Sequence, residues 1–306
     1  MPKYKLPKIQ EMLDAGVHFG HQVRRWHPKM EPYIYSVNKN THIIDLEKTE
    51  QMLEKACEFL FQQSSLGKSI VFVGTKRQSK DIVENEAKRC GAMYVNERWI
   101  GGTITNFETI RKNLTKLLDM MKNREEGKYE IYTKKERLLI DKEIEKLLSS
   151  YGGIINLKAA PEVLFVIDPK REKTAVREAK ISDVPVVAIV DTNADPTEVN
   201  YPVPANDDAI KSVALIVKAI SSAIEEGYKE YGKAAEKMER QREKEAQIAA
   251  EEAAKEVERL AREAEKKFKE IVKVEDEVIK PEKVEDAEKS EEKPLKKVRE
   301  KKPTKK

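Results

Sequence analysis

Cysteine is almost absent from this chain. Its 306 residues include only Cys57 and Cys90, far apart and with no Cys-x-x-Cys spacing. That excludes a disulfide framework and a paired-cysteine metal motif, and leaves two cytosolic thiols as the expectation. No apolar run reaches the ~18 residues that a membrane span needs. The opening residues, MPKYKLPKIQEML, lack the apolar stretch of a signal peptide. A soluble, cytoplasmic protein with no membrane partner is expected. Catalytic signatures are missing as well. The chain has no Gly-x-Ser-x-Gly, no His-Glu-x-x-His, no Gly-x-x-x-x-Gly-Lys-Ser/Thr phosphate loop and no Gly-x-Gly-x-x-Gly fingerprint.

Charge, by contrast, is plentiful. Charged residues make up 37% of the chain against 39% hydrophobic, well above the roughly 25% charged of an ordinary domain. Some segment must be mostly solvated surface. The formal net charge is only +4, so the positions of the basic clusters matter more than the total.

Apolar periodicity sets out the architecture. A short helix is expected at 8–15, then an irregular stretch from His18 to Pro32. Strand character follows at Tyr33–Val37 and His42–Asp45, and helical spacing from Glu47 to Ser65. Buried-type strands are expected at 69–74, 163–168 and 186–191, with shorter ones at 93–95 and 201–203. Helices near 77–90, 171–182 and 207–225 alternate with them. Short apolar strands separated by helices imply a mostly parallel, doubly wound sheet covered on both faces. Residues 105–126 and 133–150 break the alternation. They are two amphipathic segments joined by a short loop, which reads as an antiparallel helical hairpin projecting as an arm. Helices folded into the body are the alternative. After Gly227 the composition shifts to Ala, Glu, Lys and Arg, which suits a long charged helix over 233–272. Beyond about Lys273, Pro and charge dominate and disorder is expected. The last fourteen residues carry eight Lys or Arg and one acid.

Four loop clusters are candidates for chemistry. The first, Gly16–Met30, holds three of the four histidines together with Arg24, Arg25, Trp26 and Lys29. Cations bind phosphate oxygens, and an interleaved aromatic can stack on a base or sugar. Read alone, it is equally a surface loop with His18 and His21 packed beneath it. The second, Gly74-Thr75-Lys76-Arg77, follows a strand and precedes a helix, a favourable place for an RNA phosphate. The third, Asn96–Asn106, joins Arg98 and Trp99 to a double glycine that permits close backbone approach, with Arg111 and Lys112 one turn into the next helix. A buried Trp99 acting as a hinge is the structural alternative. The fourth is acidic. Asp191–Pro196 follows a buried strand, and Asn206-Asp207-Asp208 opens a helix. Capping and turn chemistry explain it simply. Carboxylates gathered at one sheet edge with a histidine nearby could also hold a divalent ion.

These clusters carry a resemblance. AGVHFGHQVRRWHPKM at 15–30, THIIDLEKT at 41–49, VFVGTKR at 71–77, NERWIGGTITNFETIRK at 96–112, PEVLFVIDP at 161–169, and VPVVAIVDTNADP with PANDDAIKS at 184–212 resemble the bacterial small-subunit ribosomal protein S-two family. The similarity covers about 8–226. It implies a flavodoxin-like α/β domain (1–104 and 151–227) with an inserted two-helix coiled-coil arm at 105–150. The region 228–306 extends past the resemblance, and the long charged helix (228–272) and disordered basic tail (273–306) expected there rest on composition alone. The resemblance implies a non-enzymatic, structural role in the small ribosomal subunit, attached to small-subunit rRNA and helping to dock neighbouring proteins, including the large mRNA-binding protein S-one. No small-molecule substrate is implied. Carried over by position, Arg24, Arg25, Trp26, Lys29, Lys76, Arg77, Arg98, Trp99 and Thr105 should face RNA. No cofactor is required. Some members hold a metal through residues that here are His21, Asp191, Asp207 and Asp208, which would make a structural divalent ion, zinc or magnesium. Two other readings are a nucleotide-dependent α/β enzyme, which the missing phosphate loop disfavours, and a protein adaptor working through the 105–150 segment.

Overall fold

In the computed structural model, which describes residues 4–278, the elements run α1 (Ile9–Asp14), β1 (Phe19–Gln22), β2 (Ile34–Asn38), β3 (Thr41–Ile44), α2 (Leu46–Ser65), β4 (Ile70–Val73), α3 (Lys80–Cys90), β5 (Met93–Val95), α4 (Phe107–Glu125), α5 (Lys134–Tyr151), β6 (Val163–Ile167), α6 (Lys173–Ile181), β7 (Val186–Val190), β8 (Tyr201–Pro204) and α7 (Ile210–Val278). The central sheet has the order β5-β4-β6-β7-β8, and every neighbouring pair is parallel. Counted by first appearance within this sheet, that order is 2-1-3-4-5. It is a doubly wound arrangement with its topological switch point between β4 and β6.

Both faces of this sheet are covered, which is why its strands read as unbroken apolar runs. Ile70 and Phe72, Phe165 and Ile167, and Val187 and Ile189 point into one core with α2, α3 and α7. Their alternates Val71, Val73, Leu164, Val166, Ala188 and Val190 point into a second core with α4, α5 and α6. The period of two along each strand separates the layers. Phe72 and Phe165 meet edge-on, with centroids 5.0 Å apart, at the middle of the first core.

Two parts of the chain depart from the sequence expectation. The stretch from His18 is not wholly irregular. β1 pairs with β3, and β3 with β2, in a separate antiparallel sheet of order β1-β3-β2. β1 has the sequence Phe-Gly-His-Gln, which carries no apolar alternation, so partner pairing alone makes it a strand. The final helix also does not stop near 225 and restart at 233. One helix runs from Ile210 to Val278, beyond both the expected break and the expected end at 272. Gly227 is retained inside it by packing. A Cβ there would collide with the Ser64 hydroxyl and the Phe61 carbonyl oxygen of α2. The expected tail beyond 278 lies outside the described residues.

Helices α4 and α5 follow one another as expected and pack antiparallel. Lys116 pairs with Glu143 at 2.5 Å and Arg124 with Asp141 at 3.2 Å. Thr133 and Glu136 form a reciprocal cap at the start of α5. The buried seam is narrower than the leucine stripes suggest. Leu114, Leu117 and Ile144 are buried, whereas Leu118, Leu138, Leu139 and Leu148 are exposed. The chain divides into two units at Glu239 and Arg240. The described part of the second, 240–278, is helix throughout. No helix of the described residues is long and apolar enough to cross a membrane.

Gly227→Ala should lower stability by about 1–3 kcal/mol, the usual cost of overpacking. Gly232 lies on the same helix, and a methyl group there would meet open space. Gly232→Ala should therefore raise stability by up to ~1 kcal/mol through helix propensity. Urea unfolding of the two variants would check the pair. Equal effects would mean that the α2–α7 approach at Gly227 is not close.

Candidate functional site

Every strand of the parallel sheet ends at the same edge, so the loops after β4, β5, β6, β7 and β8 gather there. In open α/β sheets this carboxyl edge, at the switch point, is the usual ligand crevice. Here a side chain of the protein fills it. Lys76, in the loop after β4, lies with its ammonium 2.9 Å from Asp168, 2.8 Å from Asp207 and 3.0 Å from Asp208. Asp168 follows β6, and the other two follow β8. Burial alone would pull the Lys76 pKa down, but Asp207 and Asp168 outweigh it and hold the pKa above its ordinary value. Asp168 adopts a left-handed backbone conformation, φ 63°, a mild strain for a residue with a Cβ. Beside it the Thr75 hydroxyl donates to the Glu172 carboxylate, and Arg171 Nε donates to Thr75 at 3.0 Å.

The expectation that Lys76 faces an RNA phosphate is therefore corrected. Its side chain is 11% exposed and ringed by three carboxylates. The helix after it starts at Lys80, three residues beyond Arg77, so the loop does not set its cations directly at a helix N-terminus. Of the two cations, Arg77 is the exposed one.

The loop from Gly16 to Met30 is tied onto this edge by Thr192. The Thr192 hydroxyl accepts from the His21 amide at 2.8 Å, and its carbonyl accepts from the His27 amide at 2.7 Å. Gly20 lies so close to Thr192 that a Cβ would strike its methyl group. This brings His21 to the acids. Its Nδ1 is 3.0 Å from Asp191 Oδ2, and its Nε2 is 3.5 Å from Asp208 Oδ2. The hydrogen bond to Asp191 raises the His21 pKa, and burial opposes it. Asp207 is fully buried, and neither of its oxygens accepts a hydrogen bond of normal geometry despite the nearby Lys76 ammonium. Burial first, and then the charges of Asp191 and Asp168, push its pKa up to about 7.

His21, Asp191 and Asp207 each offer one ligand atom, all within 4.8 Å of one another. The fourth expected ligand, Asp208, borders this trio but is 55% exposed and holds Lys76 through its other oxygen. One imidazole with two or three carboxylates is a donor set that suits zinc better than magnesium, which prefers all-oxygen coordination. With Oδ1 on Lys76, the buried Asp207 Oδ2, which has no hydrogen-bond partner, is the observation that fits a cation here.

The third loop is organised by a residue that the sequence reading missed. Glu178, on the buried side of α6, accepts from the Trp99 indole N–H at 3.2 Å, from the Gly102 amide at 2.8 Å and from the Ile104 amide at 3.1 Å. It also accepts from the Thr105 amide and hydroxyl, both at 3.4 Å. Trp99 is 6% exposed and packs in the second core. Of the two readings of Trp99, facing RNA or buried as a hinge, the second describes its ring, which serves as a buried anchor. Thr105 is exposed, but its hydroxyl already donates to Glu178. The signal for Glu178 was legible in principle: one acid among Ala175, Val176 and Ala179 on the apolar side of a helix.

The unpaired charged side chains of the first three loop clusters are basic. Arg24, Arg25, Arg77, Arg98, Arg111 and Lys112 are exposed, and none has a side-chain partner among the described residues. Lys29 is half exposed, holding Asp195 at 2.7 Å and Thr197 at 2.8 Å. Burial works against ionised Asp195, but Lys29 and Thr197 outweigh it and lower its pKa to about 2. Trp26 is half-buried, its ring 5.2 Å from that of His42.

Comparison with known proteins agrees in extent with the site and fold. The family described as Ribosomal protein S2 matches residues 12–227. The small ribosomal subunit protein uS2 of Dictyoglomus thermophilum is 48% identical over 219 residues, covering 72% of this chain and 89% of that protein. Its counterpart in Dictyoglomus turgidum is 47% identical over the same shares. The family match ends at Gly227, inside α7.

Glu178→Gln should weaken the fold by about 3 kcal/mol, because charge-assisted bonds are lost and an amide N–H₂ is set against backbone donors. The Trp99 indole N–H resonance should shift at the same time. An unchanged unfolding midpoint with an unmoved indole signal would show that Glu178 does not hold this loop.

Proposed function

The chain belongs to the ribosomal protein S2 family, and from that premise we propose that it grips small-subunit rRNA through the arginine-bearing loops at the carboxyl edge of its parallel sheet. It is a structural constituent of the small ribosomal subunit. The observation that carries the mode of binding is the sorting of charge at that edge. Asp168, Asp207 and Asp208 are turned onto Lys76, while Arg24, Arg25, Arg77 and Arg98 stand exposed and unpaired among the described residues. Arginine binds phosphate bidentately and remains charged at any working pH. Each neutralised phosphate releases counterions, so binding should weaken linearly on a log–log salt plot. Arg111 and Lys112 extend this surface onto α4. Lys29 and Thr105 act mainly by fixing loops.

A catalytic reading is disfavoured by the same ion cluster. A nucleotide at the switch point would have to displace Lys76 from three carboxylates. The loop after β4 also offers no glycine-rich cradle to repay that displacement.

The cation that His21, Asp191 and Asp207 fit, with Asp208 alongside, is assigned a structural role. It would join the Gly16–Met30 loop to the ends of β7 and β8. We also assign α4 and α5 the part of an arm, and the exposed Leu118, Ile131, Leu138 and Leu139 on it the part of a contact for neighbouring proteins. Docking of protein S-one belongs to this proposal.

Arg24→Ala with Arg25→Ala should flatten the salt dependence of rRNA binding by about 1.5 in log–log slope, given roughly 0.7–0.9 per phosphate. Titration against purified small-subunit rRNA over a potassium chloride series measures it. An unchanged slope and affinity would remove these arginines from the interface. For the metal, excess zinc at ~100 times its dissociation constant should stabilise the protein by about 2.7 kcal/mol. His21→Ala should abolish that gain. A zinc-independent melting curve for the unmutated protein would leave the carboxylates as a purely ionic cluster.

A further inference from the structure

Helix α6 carries a second charged surface that none of the loop clusters includes. Lys173, Arg177 and Lys180 follow one another at i, i+4 and i+7, which puts them on one face of a helix within a narrow arc. All three are exposed, and none is paired with a carboxylate among the described residues. The opposite side of α6 buries Ala175, Val176, Ala179 and Glu178. The helix's acidic residue is thus turned inward, and the charged residues of its outer face are all cationic. A groove of about 300 Å³ runs along this stripe, lined by Lys173, Val176, Arg177, Lys180 and Glu198. It adjoins a second of about 220 Å³ that shares Lys180 and Glu198 and reaches the amino ends of β7 and β8. Glu198 and Asp183 are the carboxylates on these walls, and neither forms an ion pair with the helix among the described residues.

We propose that this face of α6 binds the sugar–phosphate backbone of a second rRNA segment. The proposal rests on the rRNA-binding reading above and extends it to a surface outside the carboxyl-edge loops. Three cations over seven residues span roughly 10 Å along the helix axis, enough for consecutive phosphates to follow the groove. No aromatic lines either groove, so there is no platform on which a base could stack. The contact therefore positions the backbone and does not read sequence. α6 runs antiparallel to the strands, and its first turn lies beside Arg171 and Thr75 at the carboxyl edge. RNA held by Arg77 and Arg98 could thus continue down the side of the domain.

The test uses the full chain with Lys173→Gln, Arg177→Gln and Lys180→Gln together, titrated against purified small-subunit rRNA over a salt series. A control removes three exposed cations from helices on the other face of the sheet: Lys55→Gln, Lys211→Gln and Lys218→Gln. Circular dichroism and thermal melting confirm that both variants fold. The α6 variant should lose about 2 in log–log slope, at roughly 0.7–0.9 per phosphate, while the control stays within about 0.5 of the unmutated protein. An unchanged slope for the α6 variant overturns the proposal and leaves this face to an acidic protein neighbour. Equal losses in both variants overturn it too, since net charge would then be the cause. Failure of the unmutated protein to bind rRNA, or to sediment with small subunits, would overturn the parent reading and is distinguishable from both.

Discussion

One buried ammonium makes the carboxyl edge of this sheet tenable. Asp168, Asp191, Asp207 and Asp208 all arrive there because the parallel strands end there. Four carboxylates in so small a space repel each other, and the cost grows as water is excluded. Lys76 reaches three of them from the loop after β4. It therefore joins the ends of β6 and β8 to β4, across the point where the strand order reverses. Burial and the charges of Asp191 and Asp168 still push the Asp207 pKa up to about 7, so Lys76 does not cancel them. A cation bound near His21, as proposed above, would relieve that repulsion.

The solution has a consequence for the surface. Asp168, Asp191 and Asp207, turned inward onto Lys76 and His21, are withheld from solvent, and the arginines of the same loops are left without internal partners. Glu178 does the same service one layer away. It collects five donors from the Trp99–Thr105 segment, which keeps that loop in place and leaves Arg98 outward. A surface that is basic by local withdrawal of acids needs no large net charge, which reconciles a formal charge of only +4 with a polyanionic partner.

The sheet is largely legible from sequence because its strands are buried on both faces. Ile70–Val73, Val163–Ile167 and Val186–Val190 have no polar residue to interrupt them, and their spacing leaves room only for helices between. β1 is not legible, since Phe-Gly-His-Gln becomes a strand only when β3 and Thr192 hold it. Gly227 looks like a helix end because glycine often is one. Its real cause, the approach of α7 to α2, involves Ser64 and Phe61, which lie far away in the chain. At the site, residue types are legible and orientations are not. His21, Asp191, Asp207 and Asp208 are grouped only by the family resemblance; the fold places ligand atoms of the first three within 4.8 Å of one another, with Asp208 beside them. Lys76 reads as solvent-facing and Trp99 as either RNA-facing or buried, because a cation and an aromatic beside glycines suit RNA as well as packing, and only the structure shows that both point inward.

If these loops bind RNA as proposed, the inward turn of Lys76 and Trp99 gives them an indirect part in it. A loop that must meet a rigid polyanion loses less conformational entropy on binding if it is already ordered. Lys76 fixes the backbone that presents Arg77, and Trp99 with Glu178 fixes the backbone that presents Arg98. In each case the residue adjacent in sequence is the exposed cation. A buried anchor followed or preceded by a free arginine is thus a repeated device at this edge. It explains why the motif residues cluster in short runs and why well-packed anchors sit among charges.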